Sequence, residues 1–326
     1  MSRVDVALIT RVVSLYYREG LTQQETAARL GVSRQTIGRI LKQAQDSGIV
    51  RIEIFSPFTE VESLARQLEK SFGLREAIVS APDLPGDAEA LRAVGRASAS
   101  LVERRVQPGM VVGLGWSTTV LEMVKHLNAL ESPGTVVVQL DGGVPHGRHP
   151  NEASDIVHRA ALAMRVNATS LMTPLYVDTT EIRDTLIGDS QIHQALELAR
   201  QSDIAIFGVG AVSKGSTLYA TGYLGEDLID ELRTEGAVGE ILGRFFGEDG
   251  NPLGRELSER TIGLELEALT HIPFRCLVAS GEVKIAAISS ALRGKYANAI
   301  VTDEKTAIAL LSSNEAKAED SEGSDD

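Results

Sequence analysis

Beyond Leu74, seven strand-length apolar segments alternate with amphipathic helical stretches, and this alternation constrains the fold more than any other feature of the chain. The candidate strands lie at 77–80, 110–114, 135–140, 168–172, 203–208, 274–279 and 299–301. Helical patterns fall at about 87–106, 117–130, 151–166, 189–201, 282–293 and 303–313. The strands are continuous apolar runs rather than in-out alternations, so both faces of the sheet must be covered, and helical crossovers make neighbouring strands parallel. The expectation is a doubly wound, Rossmann-like α/β domain over residues 57–314. Its first element is a helix at 59–72, where Val61, Leu64, Ala65, Leu68 and Phe72 recur at helical spacing. That helix either docks on the body or pairs with a partner subunit.

Ahead of this body, residues 22–46 read as two short helices around a glycine turn. Thr22 is placed to cap the first, with Glu25 three residues on to reach back to the cap's amide, while Ala27, Ala28 and Leu30 supply small contacts for the corner. Gly31 permits the turn and Ser33 caps the second helix. There Ile37, Ile40, Leu41 and Ala44 form the stripe to be buried, and Arg34, Gln35, Arg39 and Lys42 occupy the opposite face. Together with a helix over 6–17, this predicts an all-α helix-turn-helix head over residues 1–56, closed by a short strand or wing at 51–55 and ended by Pro57. An exposed Arg can fork onto guanine, Gln onto adenine, and Lys neutralises phosphate. Arg34, Gln35 and Arg39 are therefore candidates for base edges and Lys42 for the backbone. Thr36 is either a lesser contact or a spacer.

The charge is divided accordingly. Residues 1–54 carry eight basic against five acidic side chains, a net of +3, which leaves −16 on the rest of a chain whose total is −13. A nonspecific coating protein would be basic throughout, whereas an acidic body behind a mildly basic head makes DNA binding depend on local contacts and so favours a specific operator. The apolar runs are strand-length, not membrane spans, and no signal-peptide pattern precedes them. One cysteine, Cys276, in an apolar stretch, suggests a buried thiol and a reducing cytoplasm. Residues 315–326 hold six acids and one lysine with no large apolar side chain, and a disordered acidic tail is expected there.

In open parallel sheets, ligands gather at the carboxyl ends of strands. At the first glycine-rich exit, Gly113-Leu114-Gly115-Trp116-Ser117-Thr118-Thr119, free amides and three hydroxyls suit an anion such as phosphate. A dinucleotide is the rival, but Thr118 stands where the fingerprint needs a sixth-position Gly; a bare strand-to-helix turn is the bland reading. The second exit brings Gln139 and Asp141 beside Gly142 and Gly143, and suits sugar hydroxyls. At the third, Gly208-Val209-Gly210-Ala211, backbone can approach a ligand. Lys284 either adds a second positive charge or is simply solvated, and Trp116 either covers the ligand or packs. His146, His149, Asp155 and His158 lack a repeat that would converge them on a metal, and neither a nucleophile elbow nor a P-loop is present. No cofactor is expected.

With these residues assembled, the chain from about Val6 to Leu311 resembles the SorC family of bacterial transcription regulators, also called the SorC/DeoR group. The resemblance rests on the head from Leu21 to Leu41, the Gly113–Thr119 and Gln139–Gly143 exits, Gly236-Ala237-Val238-Gly239-Glu240-Ile241, and the stretch from Ala279 through Lys284 to Thr302-Asp303-Glu304. It implies a sugar-binding domain related in fold to phosphosugar isomerases and deaminases, dimers or tetramers, and operator binding altered by a sugar or sugar phosphate. It places phosphate on Ser117, Thr118 and Thr119, sugar on Gln139 and Gly143, and an anionic end on Lys284. The chain departs from the family's usual Asp at Glu240, Asp at Gly247 and Gly-Gly at Ser280-Gly281. An active phosphosugar isomerase or deaminase carrying a regulatory head is the alternative, for which Asp141 and Asp303 or Glu304 are the available acids.

Overall fold

The computed structural model describes residues 3–50, 59–82, 84–143, 153–220, 222 and 224–322. It divides into two units, Met1–Pro57 and Phe58–Asp326.

In the first unit, helix α1 (Arg3–Val13) runs into a π-helical turn (Ser14–Arg18), followed by α2 (Gln23–Leu30) and α3 (Arg34–Asp46). Ile9, Val12, Ala27, Ile37, Ile40, Leu41 and Ala44 bury one another in a single small core. Ala28, expected in the corner, is exposed: one step along a helix turns a side chain by about 100°, so burying Ala27 turns its neighbour outward. The strand or wing expected at 51–55, and Pro57, lie outside the described residues.

The second unit is built on a seven-stranded sheet. In chain order its ten strands are β1 (Glu76–Ser80), β2 (Val111–Leu114), β3 (Val136–Gln139), β4 (Asn167–Thr169), β5 (Ile204–Phe207), β6 (Gly210–Ala211), β7 (Ala237–Ile241), β8 (Arg244–Gly247), β9 (Phe274–Val278) and β10 (Ala299–Asp303). The order across the large sheet is β1-β10-β9-β5-β2-β3-β4, with every pairing parallel. Six of its strands fall on the segments that the apolar runs mark, whereas the edge strand expected at 168–172 is the three residues Asn167–Thr169, with Asn167 exposed. Successive residues alternate between two cores: Ala205 and Phe207 join one, Ile204 and Ile206 the other. Helices 59–72, 190–200, 285–293 and the start of 304–322 supply the first core, and 87–105, 118–124 and 153–164 the second. Leu68 is fully buried there, so the helix at 59–72 docks on the body.

Strands β6, β7 and β8 form a separate antiparallel sheet that the sequence pattern does not reveal. The residues expected to be a disordered tail are also different: the helix beginning at Glu304 continues to Glu322. Extending an established helix needs no new nucleus, and Ala316, Lys317, Ala318 and Glu319 favour it. Residues 323–326 lie outside the description.

Candidate nucleic-acid interface and ligand pocket

In the head, the Thr22 side chain accepts the Glu25 amide at 3.2 Å while the Thr22 amide donates to Glu25 Oε2 at 2.8 Å, closing a capping box. These bonds to Thr22 hold the Glu25 carboxyl below its ordinary pKa. Gly31 ends α2 in the left-handed region, at φ 69° and ψ 30°, which an L side chain adopts only with strain. Ser33 then caps α3 by accepting the Thr36 amide at 3.1 Å, with the two hydroxyls 2.8 Å apart. Thr22 and Ser33 thus orient the helices through their hydroxyls, and Thr36 serves the same cap. Arg34, Gln35, Arg39 and Lys42 are all exposed, opposite the buried Ile37, Ile40, Leu41 and Ala44. Gln35, Arg39 and Lys42, at spacings of four and three, form one stripe along α3, and Arg34 stands at its N-terminal end.

In the body, β2 leads outward to β3 and β4, whereas β5 leads back toward β9, β10 and β1. The strand order therefore reverses between β2 and β5, where an open sheet leaves a crevice at its carboxyl edge. A cavity of about 90 Å³ lies there, bordered by Trp116, Ser117, Thr118, Asp141, Glu240 and Lys284, together with the Gly208–Gly210 exit. A wider neighbouring cavity of about 560 Å³ shares Thr118 and Lys284 and adds Thr119, Gly281, Asp303 and Thr306. Its size is that of small-molecule sites generally.

Ser117 caps the helix Thr118–Val124 by accepting the Val120 amide at 3.0 Å. Thr118 is exposed to the cavities and Thr119 is buried. The Trp116 amide donates to Asp141 Oδ1 and Oδ2 at 3.0 and 3.2 Å, and its ring packs against the surrounding apolar clusters. Burial pushes the Asp141 carboxyl up to about 8, with the nearby Glu240 charge adding to the rise and the Trp116 amide opposing it. Glu240 is likewise raised by burial, against a 3.0 Å bond from the Gly243 amide and the charge of Lys284. Burial lowers Lys284, and Glu240 opposes that shift. Two carboxyls and an ammonium thus converge on one polar crevice.

Several expected ligand contacts are turned inward. Gln139 is 1% exposed, and its amide is spent: Nε2 donates to the Asp141 carbonyl at 2.6 Å, and Oε1 accepts the Leu171 amide at 3.1 Å. The glycines permit close approach of protein to protein rather than to ligand. A Cβ at Gly115 would lie 2.5 Å from Leu242 Cδ2, one at Gly142 would strike the Pro174 carbonyl, and one at Gly210 would strike Glu240 Oε1. Gly143 donates to the Thr173 carbonyl and accepts from the Leu175 amide, at 2.7 and 2.8 Å. Glu240 borders the cavity but enters the sequence reading only through the family motif, because it stands on the small sheet and no spacing along the chain links it to β2. Asp303 also borders the wider cavity, where it accepts the Thr306 amide at 3.1 Å and its hydroxyl at 2.5 Å, capping the last helix. Cys276 is fully buried, with its thiol pushed up by burial.

Among the described residues no group of His, Cys, Asp and Glu could hold a metal ion. Asp155 pairs with Arg159 at 2.7 Å, His158 lies 3.5 Å from Ser170 Oγ, and His146 and His149 fall outside the described residues. No helix among the described residues is long and apolar enough to cross a membrane.

A helix-turn-helix head joined to a switch-point pocket defines a class of DNA-binding transcriptional regulators with an effector domain. Residues 56–312 match the family model of a sugar-binding domain, and residues 10–47 match that of sigma-70 region 4. The chain belongs to the SorC family of sugar-binding transcriptional regulators. It is 33% identical over 311 residues to the deoxyribonucleoside regulator of Bacillus subtilis, covering 95% of this chain and 99% of the relative. To the sorbitol operon regulator of Klebsiella pneumoniae it is 31% identical over 312 residues, covering 94% and 98%. The crystal structure of full-length SorC from Klebsiella pneumoniae superposes with a TM-score of 0.73 at 30% identity, covering 94% of this chain and 99% of that one.

Proposed function

We propose that this chain is a cytoplasmic regulator of carbohydrate genes that binds a near-palindromic operator as a homo-oligomer, a dimer or tetramer, and releases or engages it in response to a sugar or sugar phosphate. The observation that carries the reading is the stripe of Gln35, Arg39 and Lys42, led by Arg34, on a helix whose opposite face is packed. Arg34, Gln35 and Arg39 read base edges in the major groove and Lys42 meets the backbone, while Thr22, Ser33 and Thr36 set the angle of approach. Two heads related by symmetry meet half-sites about 10–10.5 base pairs, or a multiple of that, apart.

The effector occupies the crevice, its anionic end held by Ser117, Thr118 and Lys284 beside Thr119, and its hydroxyls by Asp141 and Glu240. Gln139, Gly115, Gly142, Gly143 and Gly210 shape the walls, and Trp116 bridges the wall to the Asp141 carboxyl. The ligand acts through unequal affinity for the DNA-competent and DNA-incompetent arrangements, not through turnover. Both relatives named above are regulators, which supports binding over catalysis. The test is to titrate the chain onto fragments of its own upstream region at low salt, with and without a panel of sugars and sugar phosphates ranked by thermal shift. A selective fragment whose affinity changes with one ligand is expected. Indifference to every fragment discards the reading, and turnover of a pentose or hexose phosphate replaces it with the enzymatic one.

A further inference from the structure

The body contains a second, electropositive cleft, apart from the switch-point crevice. It has a volume of about 440 Å³ and is lined by Thr180, Arg183, Arg244, Arg255, Ser258 and Glu259, among others. Three guanidinium groups thus face one carboxylate. Arg244 projects from β8 and is 6% exposed. Its Nε donates to the Leu264 carbonyl at 3.1 Å, Nη1 to the Ser258 carbonyl and Oγ at 3.0 and 2.8 Å, and Nη2 to the Gly263 and Thr261 carbonyls at 3.3 and 3.4 Å. Every one of these acceptors is neutral. A buried cation held only by neutral dipoles keeps its full charge without a counter-ion at contact distance, a condition proteins relieve by pairing. Glu265, the acid that favours its charged form, is itself bonded to Arg200 at 3.0 Å.

Arg183 adds a second unfulfilled group. One of its terminal nitrogens meets Asp184 at 2.9 Å, but its Nε is buried without a hydrogen-bond partner. Arg255 stands at the mouth, 91% exposed, bonded to Glu259 at 2.8 Å. Thr180 and Ser258 contribute hydroxyls to the same walls. The need here is for a compact anion with several acceptor oxygens, and phosphate has that chemistry.

We propose that the cleft between Arg183, Arg244 and Arg255 is a phosphate-binding site, separate from the effector crevice, that takes a phosphate monoester. The Arg183 and Arg255 guanidinium groups bond its oxygens, Thr180 and Ser258 donate hydroxyl protons, and Arg244 supplies a buried positive charge behind them. Gly243 borders the crevice and Arg244 the cleft, so consecutive residues at the start of β8 reach the two sites.

Inorganic phosphate is the probe, titrated calorimetrically into the full chain. Lys284→Ala, which weakens anion binding in the crevice, is expected to retain a phosphate isotherm. Adding Arg183→Gln and Arg255→Gln to it should weaken that isotherm roughly tenfold or more. Arg255→Gln alone removes a side chain already in solvent, so loss of phosphate affinity there at an unchanged unfolding temperature is independent of any folding defect. Succinate in place of phosphate should bind more weakly. The proposal is overturned if Lys284→Ala abolishes all phosphate binding, if the arginine variants bind phosphate as the parent does, or if succinate outcompetes it. Failure of the operator titration described above would leave these outcomes unaffected.

Discussion

In the head, the charged side chains offered to a partner stand in water; in the body, the ionisable ones are drawn away from it. Arg34, Gln35, Arg39 and Lys42 are all exposed, whereas Asp141 is 1% exposed and sits beside Glu240 and Lys284, the pKa of each group displaced by burial. The contrast follows from the ligands expected at each site. A DNA duplex is larger than the head and brings its own charge to an open surface, so the reader needs reach and donors. A small sugar must be enclosed, and enclosure removes water from every polar group that meets it. Changes in the head should therefore act additively and locally, while changes in the body should couple through charge.

The sharpest way to break that contrast is to separate the two responses. Thr118→Val with Lys284→Ala is expected to abolish the effector's influence on the operator, with effector affinity falling at least about tenfold, while ligand-free operator binding stays as it was. Calorimetry on the double variant checks the first part and an operator titration the second; ordinary effector affinity would move the ligand out of the crevice. Next in size, Arg34→Ala is expected to cost about 1–3 kcal/mol of operator affinity and to relax base preference at one position. An unchanged titration curve on the native operator would remove Arg34 from the reading surface.

The two regions also differ in how legible they were. Everything that builds the head's face lies within 25 consecutive residues, 22–46, so capping, turn and stripe could be read as local spacing. Six strands of the large sheet are equally plain, because strands covered on both sides are continuous apolar runs such as Val136-Val137-Val138, whereas the edge strand Asn167-Ala168-Thr169 has no such run. The small sheet was hidden by Gly239, Glu240 and Arg244, which interrupt the apolar pattern of β7 and β8. Arg244 is buried all the same because carbonyls some 14–20 residues further along the chain accept its protons. Gln139 shows a related limit: a polar side chain at a strand's end looks the same in sequence whether it faces a sugar or, as its bonds to the Asp141 carbonyl and the Leu171 amide place it, its own loop. The crevice joins residues from Trp116 to Lys284, and only the strand order brings them together.

Acidity separates the regions further. Asp141 titrates at about 8 in the folded chain and near 3.8 when unexposed to that environment. The folded state therefore holds this proton more tightly, and the stability it confers is full below about 3.8 and declines as pH rises to about 8. The body's unfolding temperature should fall across that window, by about 2–4 °C for each kcal/mol lost. Asp141→Asn, which keeps an acceptor for the Trp116 amide, should flatten the decline. Melting curves at several pH values check this, and a slope as steep in the variant as in the parent would assign the dependence to other groups.

The smallest effect belongs to the head and isolates what its exposed face is for. Gly38 lies inside α3, three residues after Gln35 and four before Lys42, on the face that carries the basic stripe. A Cβ there would meet only Gln23 Oε1, at 3.6 Å, an ordinary contact, so packing within the head does not call for glycine. In a helix interior glycine costs about 0.8–1.0 kcal/mol relative to alanine. Gly38→Ala is thus expected to stabilise the head by an amount of that order, seen as a later thermal transition of the head. Its operator affinity measured in parallel separates two uses of the position. An unchanged affinity means that α3 tolerates a methyl group where it meets DNA, and a loss despite the stabler head means that the duplex approaches the helix most closely between Gln35 and Arg39. A head no more stable than the parent would show that the Gln23 contact is tighter than its 3.6 Å implies.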